Sequence, residues 1–144
     1  MTSKLRTDKA YVFDSYALLA FLKNEPGAAF MEDIIASISK GRTKGYVSII
    51  NLAELLFILT RRKSEKEAMI FLRSLSNWKI QTINTDEKLA ILAGRVKAGH
   101  SISLADAFCV AVAQHKGAIV ITGDPEFKLI KDIEISWLPN KKGK

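Results

Sequence analysis

The sequence predicts an α/β domain with a mostly parallel central sheet, and two observations point to this fold class. Short apolar segments of strand length alternate along the chain with longer segments of helical pattern. Some of the short segments, such as YVF (11–13) and AIVI (118–121), are apolar throughout, which is typical of strands that helices cover on both faces. At 144 residues and 48% hydrophobic, the chain suits one domain with a substantial core.

Five short apolar segments carry the strand signal. Each is followed by a helical segment or a turn, so consecutive strands are expected to run parallel. The predicted strands are YVFD (11–14), GYVS (45–48), KIQTI (79–83), AIVIT (118–122) and IEISWL (133–138).

Six helices are predicted between these strands from apolar periodicity and end signals. Ser64 is a good N-cap, another helix follows Thr85, and Gly41 and Gly117 end two helices. The predicted helices cover 15–24, 28–41, 49–63, 64–77, 86–99 and 103–117, with a short helical turn at 125–130.

Three features predict a soluble, cytoplasmic protein with no membrane association. The N-terminus MTSKLRTDKA is polar and lacks the apolar segment of a secretory signal. The longest apolar run, IINLAELLFIL, is too short to span a bilayer. The single cysteine, Cys109, allows no internal disulfide, which fits a reducing compartment.

The formal net charge of +7 is unevenly distributed along the chain. Much of it lies in a polar N-terminal extension (1–10) and a basic C-terminal tail (139–144), which flank the predicted domain at 11–138. Within the domain, the best basic patch is TRRK (60–63) with Lys66 and Arg73. This charge permits nucleic-acid binding, although a solvated helical face accounts for the patch equally well.

Four acidic residues occupy positions where an α/β domain builds a site. Asp14 ends the first predicted strand and Asp124 follows the fourth. Asp106 lies in the first turn of the helix that leads into the fourth strand, and Glu54 lies inside the apolar helix 49–63. The carboxyl ends of parallel strands meet at one edge of the sheet, where ligands bind.

Helix capping is an alternative explanation for three of these acids. Asp14 precedes a helix, and Asp124 followed by Pro125 is a strong N-cap pattern. Ser103 and Asp106 have the spacing of a capping box. Each cap would contribute about 1 kcal/mol, so capping alone is a sufficient reason for these residues.

Glu54 is harder to explain as a structural residue. Its neighbours at 52–53 and 55–59 are all apolar, so we expect a buried carboxylate. Such a group costs several kcal/mol unless it has a partner. A metal ion is one such partner, and a buried ion pair is the alternative.

A convergence of the four acids would require a cation. Two carboxylates about 4 Å apart repel by about 4 kcal/mol at an effective dielectric constant near 20, so a cluster takes up protons or binds a cation. Carboxylate oxygens suit Mg²⁺ or Mn²⁺, which activate water and stabilise charge at phosphorus in phosphodiester hydrolysis.

The order of these motifs resembles the PIN-domain ribonucleases, and most closely the small toxins of VapC type. The resemblance rests on VFDSYALLAFL, INLAELLF, SLADAFCVAVA and VITGDPEF, and it extends over about 11–138. It implies a three-layer α/β/α fold with about five strands, and endonucleolytic cleavage of RNA that depends on Mg²⁺ or Mn²⁺. By this resemblance, the catalytic and metal-binding residues are Asp14, Glu54, Asp106 and Asp124.

The same resemblance assigns supporting residues and partners. Ser15 and Thr122 match polar positions that hold the acids or a metal-bound water, and Glu126 matches a second acidic position. Pro125 replaces a residue that is often basic in the family, which puts a local phosphate contact in question. The implied partners are an RNA substrate, a cognate antitoxin protein and a second copy of the chain.

Other functions remain open at this stage. An RNA-processing nuclease would share the same domain, and a non-catalytic PIN-like module would bind RNA or act as a scaffold. A phosphatase of the haloacid-dehalogenase type needs a second aspartate two residues after the first, where this chain has Tyr16.

Overall fold

The computed structural model describes residues 5–139 and contains one sheet of five parallel strands in the order β3-β2-β1-β4-β5. All five predicted strands are confirmed, and the sheet is parallel throughout. The strands are β1 (Tyr11–Phe13), β2 (Gly45–Ser48), β3 (Ile80–Ile83), β4 (Ile119–Thr122) and β5 (Ile135–Trp137).

Six α-helices connect the strands, as predicted, and one segment is a 3₁₀ turn at Pro125–Leu129. The N-cap at Ser64 is confirmed, whereas the helix expected to follow Thr85 is capped by Asp86. The helices are α1 (Ser15–Leu22), α2 (Ala28–Ser39), α3 (Ile49–Arg62), α4 (Glu65–Asn77), α5 (Glu87–Gly99) and α6 (Leu104–Lys116).

The sheet separates two apolar cores, which gives the three layers. Alternate residues of a strand point to opposite faces. Accordingly Phe13 packs in a core with α1 to α4, while Val12 packs in a second core with α5 and α6. Both residues are fully buried, as expected for a strand covered on both faces.

The central position of β1 determines where the site forms. β1 pairs with β2 on one side and β4 on the other, with Phe13 opposite Ile121. From β1 the chain first builds β2 and β3 on one side of the sheet and then returns to build β4 and β5 on the other side. The topology therefore has a switch point between β1 and β4. Such a switch point leaves a crevice at the carboxyl ends of the strands.

The predicted N-terminal extension is partly attached to the domain. Leu5 packs against the core with α1 to α4, and Arg6 forms an ion pair of 2.6 Å with Glu134. The Arg6 N–H also donates to the Tyr11 hydroxyl at 2.7 Å. The basic C-terminal tail, apart from Pro139, and the first four residues lie outside the described residues.

Within residues 5–139, no single helix is both long and apolar enough to cross a membrane. Helices α5 and α6 reach that length and composition when taken together, but they are bent by 118° relative to each other.

Candidate functional site

Asp14 both caps a helix and faces the crevice at the end of β1. Its Oδ1 accepts the Ala17 N–H at 2.8 Å, which confirms that it caps α1, and its Oδ2 accepts the hydroxyl of Thr122. The pKa of Asp14 is raised to about 7. Burial is the main cause, the charges of Asp124 and Glu54 contribute, and the two hydrogen bonds act in the opposite direction. One side chain can therefore both cap α1 and contribute a carboxylate to the site.

Thr122 joins the ends of β1 and β4. It is fully buried, and while its hydroxyl donates to Asp14 it accepts the Asp124 N–H at 2.9 Å. Asp124 in turn caps the 3₁₀ turn, because its Oδ1 accepts the Glu126 N–H at 2.9 Å. This chain of hydrogen bonds orients the loop that carries the second predicted aspartate.

Position 123, between Thr122 and Asp124, requires a glycine because the Tyr16 ring packs directly against it. A Cβ at this position would lie 2.5 Å from Cε1 of Tyr16, which is closer than real contacts allow. The glycine therefore permits the close approach of the loops after β1 and β4.

Asp106 combines the two roles considered for it. Ser103 Oγ accepts the Asp106 N–H at 3.1 Å and caps α6, which is the first of the two hydrogen bonds of a capping box. The side chain is nevertheless only 8% exposed, and burial raises its pKa to about 8. A hydrogen bond with Glu126 and the charges of Asp14 and Asp124 contribute further to this increase.

Glu54 is half-buried, so the expectation of a fully buried carboxylate was wrong. Helix α3 contacts the core through one stripe that includes Leu55 and Leu59, and it leaves other apolar residues exposed, such as Phe57 at 59%. The hydrophobic sequence around Glu54 therefore does not imply burial on every side. Within residues 5–139, Glu54 forms no ion pair, and its Oε1 accepts the Ser15 hydroxyl at 2.5 Å.

Three carboxylates form the group best placed for a metal ion. Ligand oxygens of Asp106, Asp124 and Glu126 all lie within 4.8 Å of one another. Asp14 and Glu54 lie close enough to influence the local charge, as the raised pKa of Asp14 indicates, but they fall outside this group. The structure thus brings Glu126, predicted as a supporting residue, directly into the cluster. The four-residue ligand set remains a prediction.

The donor set fits a hard divalent cation. All the groups are carboxylates, the ligands that Mg²⁺ and Mn²⁺ favour, and no histidine or cysteine of the described chain joins the cluster. Burial is the largest cause of the raised pKa values of Asp14 and Asp106, and the charges of neighbouring carboxylates add to it.

Sequence analysis missed Asn51. This residue is fully buried at the start of α3, and its Nδ2 donates to Ser15 Oγ at 3.2 Å. The available signal was a polar residue in an apolar helix three positions before Glu54, which places both on one side of the helix.

The predicted basic patch lies away from these acids. Residues 60–63 are at the C-terminal end of α3, whereas the helix starts at the edge that carries the site. Arg61 packs over the ring of Phe57, at 5.6 Å from its centroid. Contact between this patch and a phosphate in the crevice is therefore not supported.

Comparison with known proteins identifies the family. The sequence matches the PIN domain over residues 11–133, so the chain belongs to the PIN domain family. A comparison with curated protein sequences gives no significant match.

Solved structures with the same fold include VapBC and VapC proteins. VapBC2 from Rickettsia felis, bound to a DNA fragment from its promoter, has a TM-score of 0.71 at 19% identity and covers 90% of this chain and 98% of its own. The toxin VapC20 of Mycobacterium tuberculosis, which cleaves the sarcin–ricin loop, has a TM-score of 0.68 at 18% identity, with 88% and 98% covered. FitAcB from Neisseria gonorrhoeae has a TM-score of 0.61 at 19% identity, with 87% and 95% covered.

Proposed function

We propose that the chain is an endoribonuclease dependent on Mg²⁺ or Mn²⁺ and that it is the toxin of a type II toxin–antitoxin pair. The observation that carries this proposal is the grouping of Asp106, Asp124 and Glu126 beside Asp14 at the switch point of a PIN domain. Helix capping accounts for Asp14 and Asp124 as single residues but not for the grouping of the carboxylates, which suits a bound divalent cation.

The chain's residues would divide the work at this site. Asp106, Asp124 and Glu126 would hold the cation, and Asp14 and Glu54 would complete its carboxylate ligands. Bound there, a divalent cation supplies an activated water and offsets the charge that develops on the phosphate. Ser15 and Thr122 hold Glu54 and Asp14 through hydrogen bonds, so the carboxylates need little rearrangement.

The toxin role draws on the structural neighbours and on a groove remote from the acids. The neighbours include complexes of toxin and antitoxin. An apolar groove of about 680 Å³ lies between the ends of α1 and α3 and the side of α4, with Phe21, Ile70 and Trp78 among its lining. Lys23, Arg62 and Lys63 also line the groove together with Glu67, so its lining is net positive and an antitoxin segment with apolar and acidic residues would fit it.

A homodimer is the third element of the proposal. Large apolar side chains are exposed on several helices, among them Phe57 on α3 at 59%, Ile91 on α5 at 49% and Leu104 on α6 at 54%. Association with a second copy would remove this surface from water. With an RNA substrate and a single buried cysteine, the cytoplasm is the compartment that we infer.

The direct test of the activity uses total bacterial RNA as the probe. We expect the purified chain to produce discrete cleavage products with Mn²⁺, and none with a chelator or with the variant Asp106→Asn. Intact RNA in all three reactions, despite metal binding by the folded protein, would favour the non-catalytic RNA-binding module.

The toxin role is tested separately in cells. Induced expression of the wild type should arrest bacterial growth, and Asp106→Asn should not. Normal growth with active enzyme present would favour an RNA-processing nuclease.

A further inference from the structure

A buried asparagine lies behind the acidic site. Asn51 is fully buried, and its Oδ1 has no hydrogen-bond partner within the described chain. A buried, unsatisfied amide oxygen costs free energy, and leucine would fill a similar volume without that cost. Stability therefore does not explain the presence of an asparagine at this position.

The other end of the Asn51 amide controls a hydroxyl. Asn51 Nδ2 donates to Ser15 Oγ at 3.2 Å. This hydroxyl has a single proton and two acceptors within reach: Glu54 Oε1 at 2.5 Å and the Asn51 main-chain oxygen at 3.4 Å. The Asn51 amide N–H occupies a lone pair of Ser15 Oγ on the side that faces Asn51. The hydroxyl proton is therefore directed to Glu54 Oε1 instead of the Asn51 main-chain oxygen.

Glu54 depends on this proton for its orientation. It is a long, half-buried side chain at the start of the crevice, and it forms no ion pair within residues 5–139. The Ser15 hydroxyl is the hydrogen-bond donor that the described structure provides for its Oε1. The Ser15 hydroxyl therefore holds one oxygen of a carboxylate whose charge acts on Asp14.

We propose that Asn51 is a positioning residue that acts through Ser15 to hold Glu54 in the orientation that a divalent cation and its water require. The inference rests on the proposed metal-dependent function. Asn51 itself contacts neither the cation nor the RNA. Groups that orient ligands in this way typically change metal affinity or activity by about 10- to 100-fold when they are removed.

The test is a calorimetric titration of Mn²⁺ into the full chain and its variants. Asn51→Leu should weaken Mn²⁺ binding by about tenfold, while the melting temperature in chelator stays equal or rises. The matched control is Thr60→Val, which also removes a buried oxygen without a partner from α3, but at the end away from the site. Thr60→Val should bind Mn²⁺ like the wild type.

A double-mutant cycle separates positioning from a general structural effect. In a Glu54→Ala background, Asn51→Leu should change Mn²⁺ affinity by less than about twofold, because the group it positions is gone. Ser15→Ala should reproduce the tenfold loss and should not add to Asn51→Leu. This variant also tests the proposal if Asn51→Leu does not fold.

Two results would overturn the inference. The first is that Asn51→Leu or Ser15→Ala binds Mn²⁺ and cleaves RNA as well as the wild type does. The other is an equal loss of affinity with and without Glu54. If the wild type itself binds no Mn²⁺, the proposed function fails as well, and the wild-type titration alone reveals this.

Discussion

At the scale of single residues, Asp106 illustrates how one position can serve both folding and chemistry. Its N–H is capped by Ser103, while its carboxyl group lies beside Asp124 and Glu126. Capping uses the main chain of Asp106, so the side chain remains available for the cluster. The pattern SLAD therefore identified the cap correctly, and that identification gave no information about the carboxylate.

Replacing this carboxylate tests its chemical role. Asp106→Asn retains the shape and the Ser103 cap but removes a carboxylate of the proposed metal site. We expect cleavage of RNA to fall by at least about 100-fold, since the variant loses a proposed metal ligand. The measurement is a cleavage time course in Mn²⁺, with circular dichroism as the control for folding. Normal cleavage would show that Asp106 is not catalytic.

Glu54 is tested by an isosteric change. In Glu54→Gln the amide oxygen still accepts the Ser15 hydroxyl, but the negative charge near Asp14 is lost. We expect slower cleavage together with an unchanged or higher melting temperature in chelator, because repulsion is reduced. A marked fall in melting temperature would indicate instead that Glu54 stabilises the fold through its charge.

The sequence indicated some residues of the site better than others. Asp14 and Asp124 were found because strand ends are visible in the pattern and the edge of a parallel sheet collects them. Asn51 was missed because a hydrogen bond to Ser15 on another helix leaves no trace in local periodicity. The burial of Glu54 was overestimated because hydrophobic neighbours on α3 are partly exposed.

At the scale of elements, the strands and helices were largely predictable because each carries its own pattern of apolar residues and caps. Alternation of strands and helices implied parallel pairing, which the sheet confirms throughout. The boundary at Asp86 instead of Thr85 reflects competition between adjacent capping residues. What local patterns do not contain is the distance between loops, such as the contact of Tyr16 with Gly123.

The loop from Thr122 to Asp124 offers a test at this scale. Gly123→Ala would place a Cβ 2.5 Å from Cε1 of Tyr16, so the ring or the loop must move. If the proposed site is catalytic, a displacement by about 1 Å of the loop that carries Asp124 is expected to reduce cleavage by about 100-fold. The assay is cleavage by Gly123→Ala and by the double variant Tyr16→Ala/Gly123→Ala, in which activity should partly return. No recovery in the double variant would contradict the steric explanation.

At the scale of the whole molecule, the acidic cluster makes stability depend on pH. The pKa values of Asp14 and Asp106 rise from 3.8 to about 7 and about 8 on folding. Between about pH 4 and about pH 8 the folded state binds more protons than the unfolded state. The free energy of unfolding therefore falls as pH rises through this range. The stabilisation from these protons is complete below about pH 4 and lost above about pH 8.

Calorimetry of the metal-free protein measures this dependence. The melting temperature should decrease from about pH 5 to about pH 8, and the decrease should be smaller in Asp106→Asn, which has one raised carboxyl group fewer. Saturating Mn²⁺ should reverse the trend, because the cation binds the deprotonated cluster. An equal slope in the wild type and in Asp106→Asn would exclude this carboxyl group as its source.

The most direct test of the central claim is the melting temperature of the wild type and of Asp106→Asn, each with chelator and with saturating Mn²⁺. A ligand that binds only the folded state raises its stability by RT ln(1 + [L]/Kd), about 2.7 kcal/mol at 100 times Kd. The account predicts a clear upward shift for the wild type and little or none for Asp106→Asn. No shift in the wild type, or equal shifts in both proteins, would contradict a metal site built on Asp106.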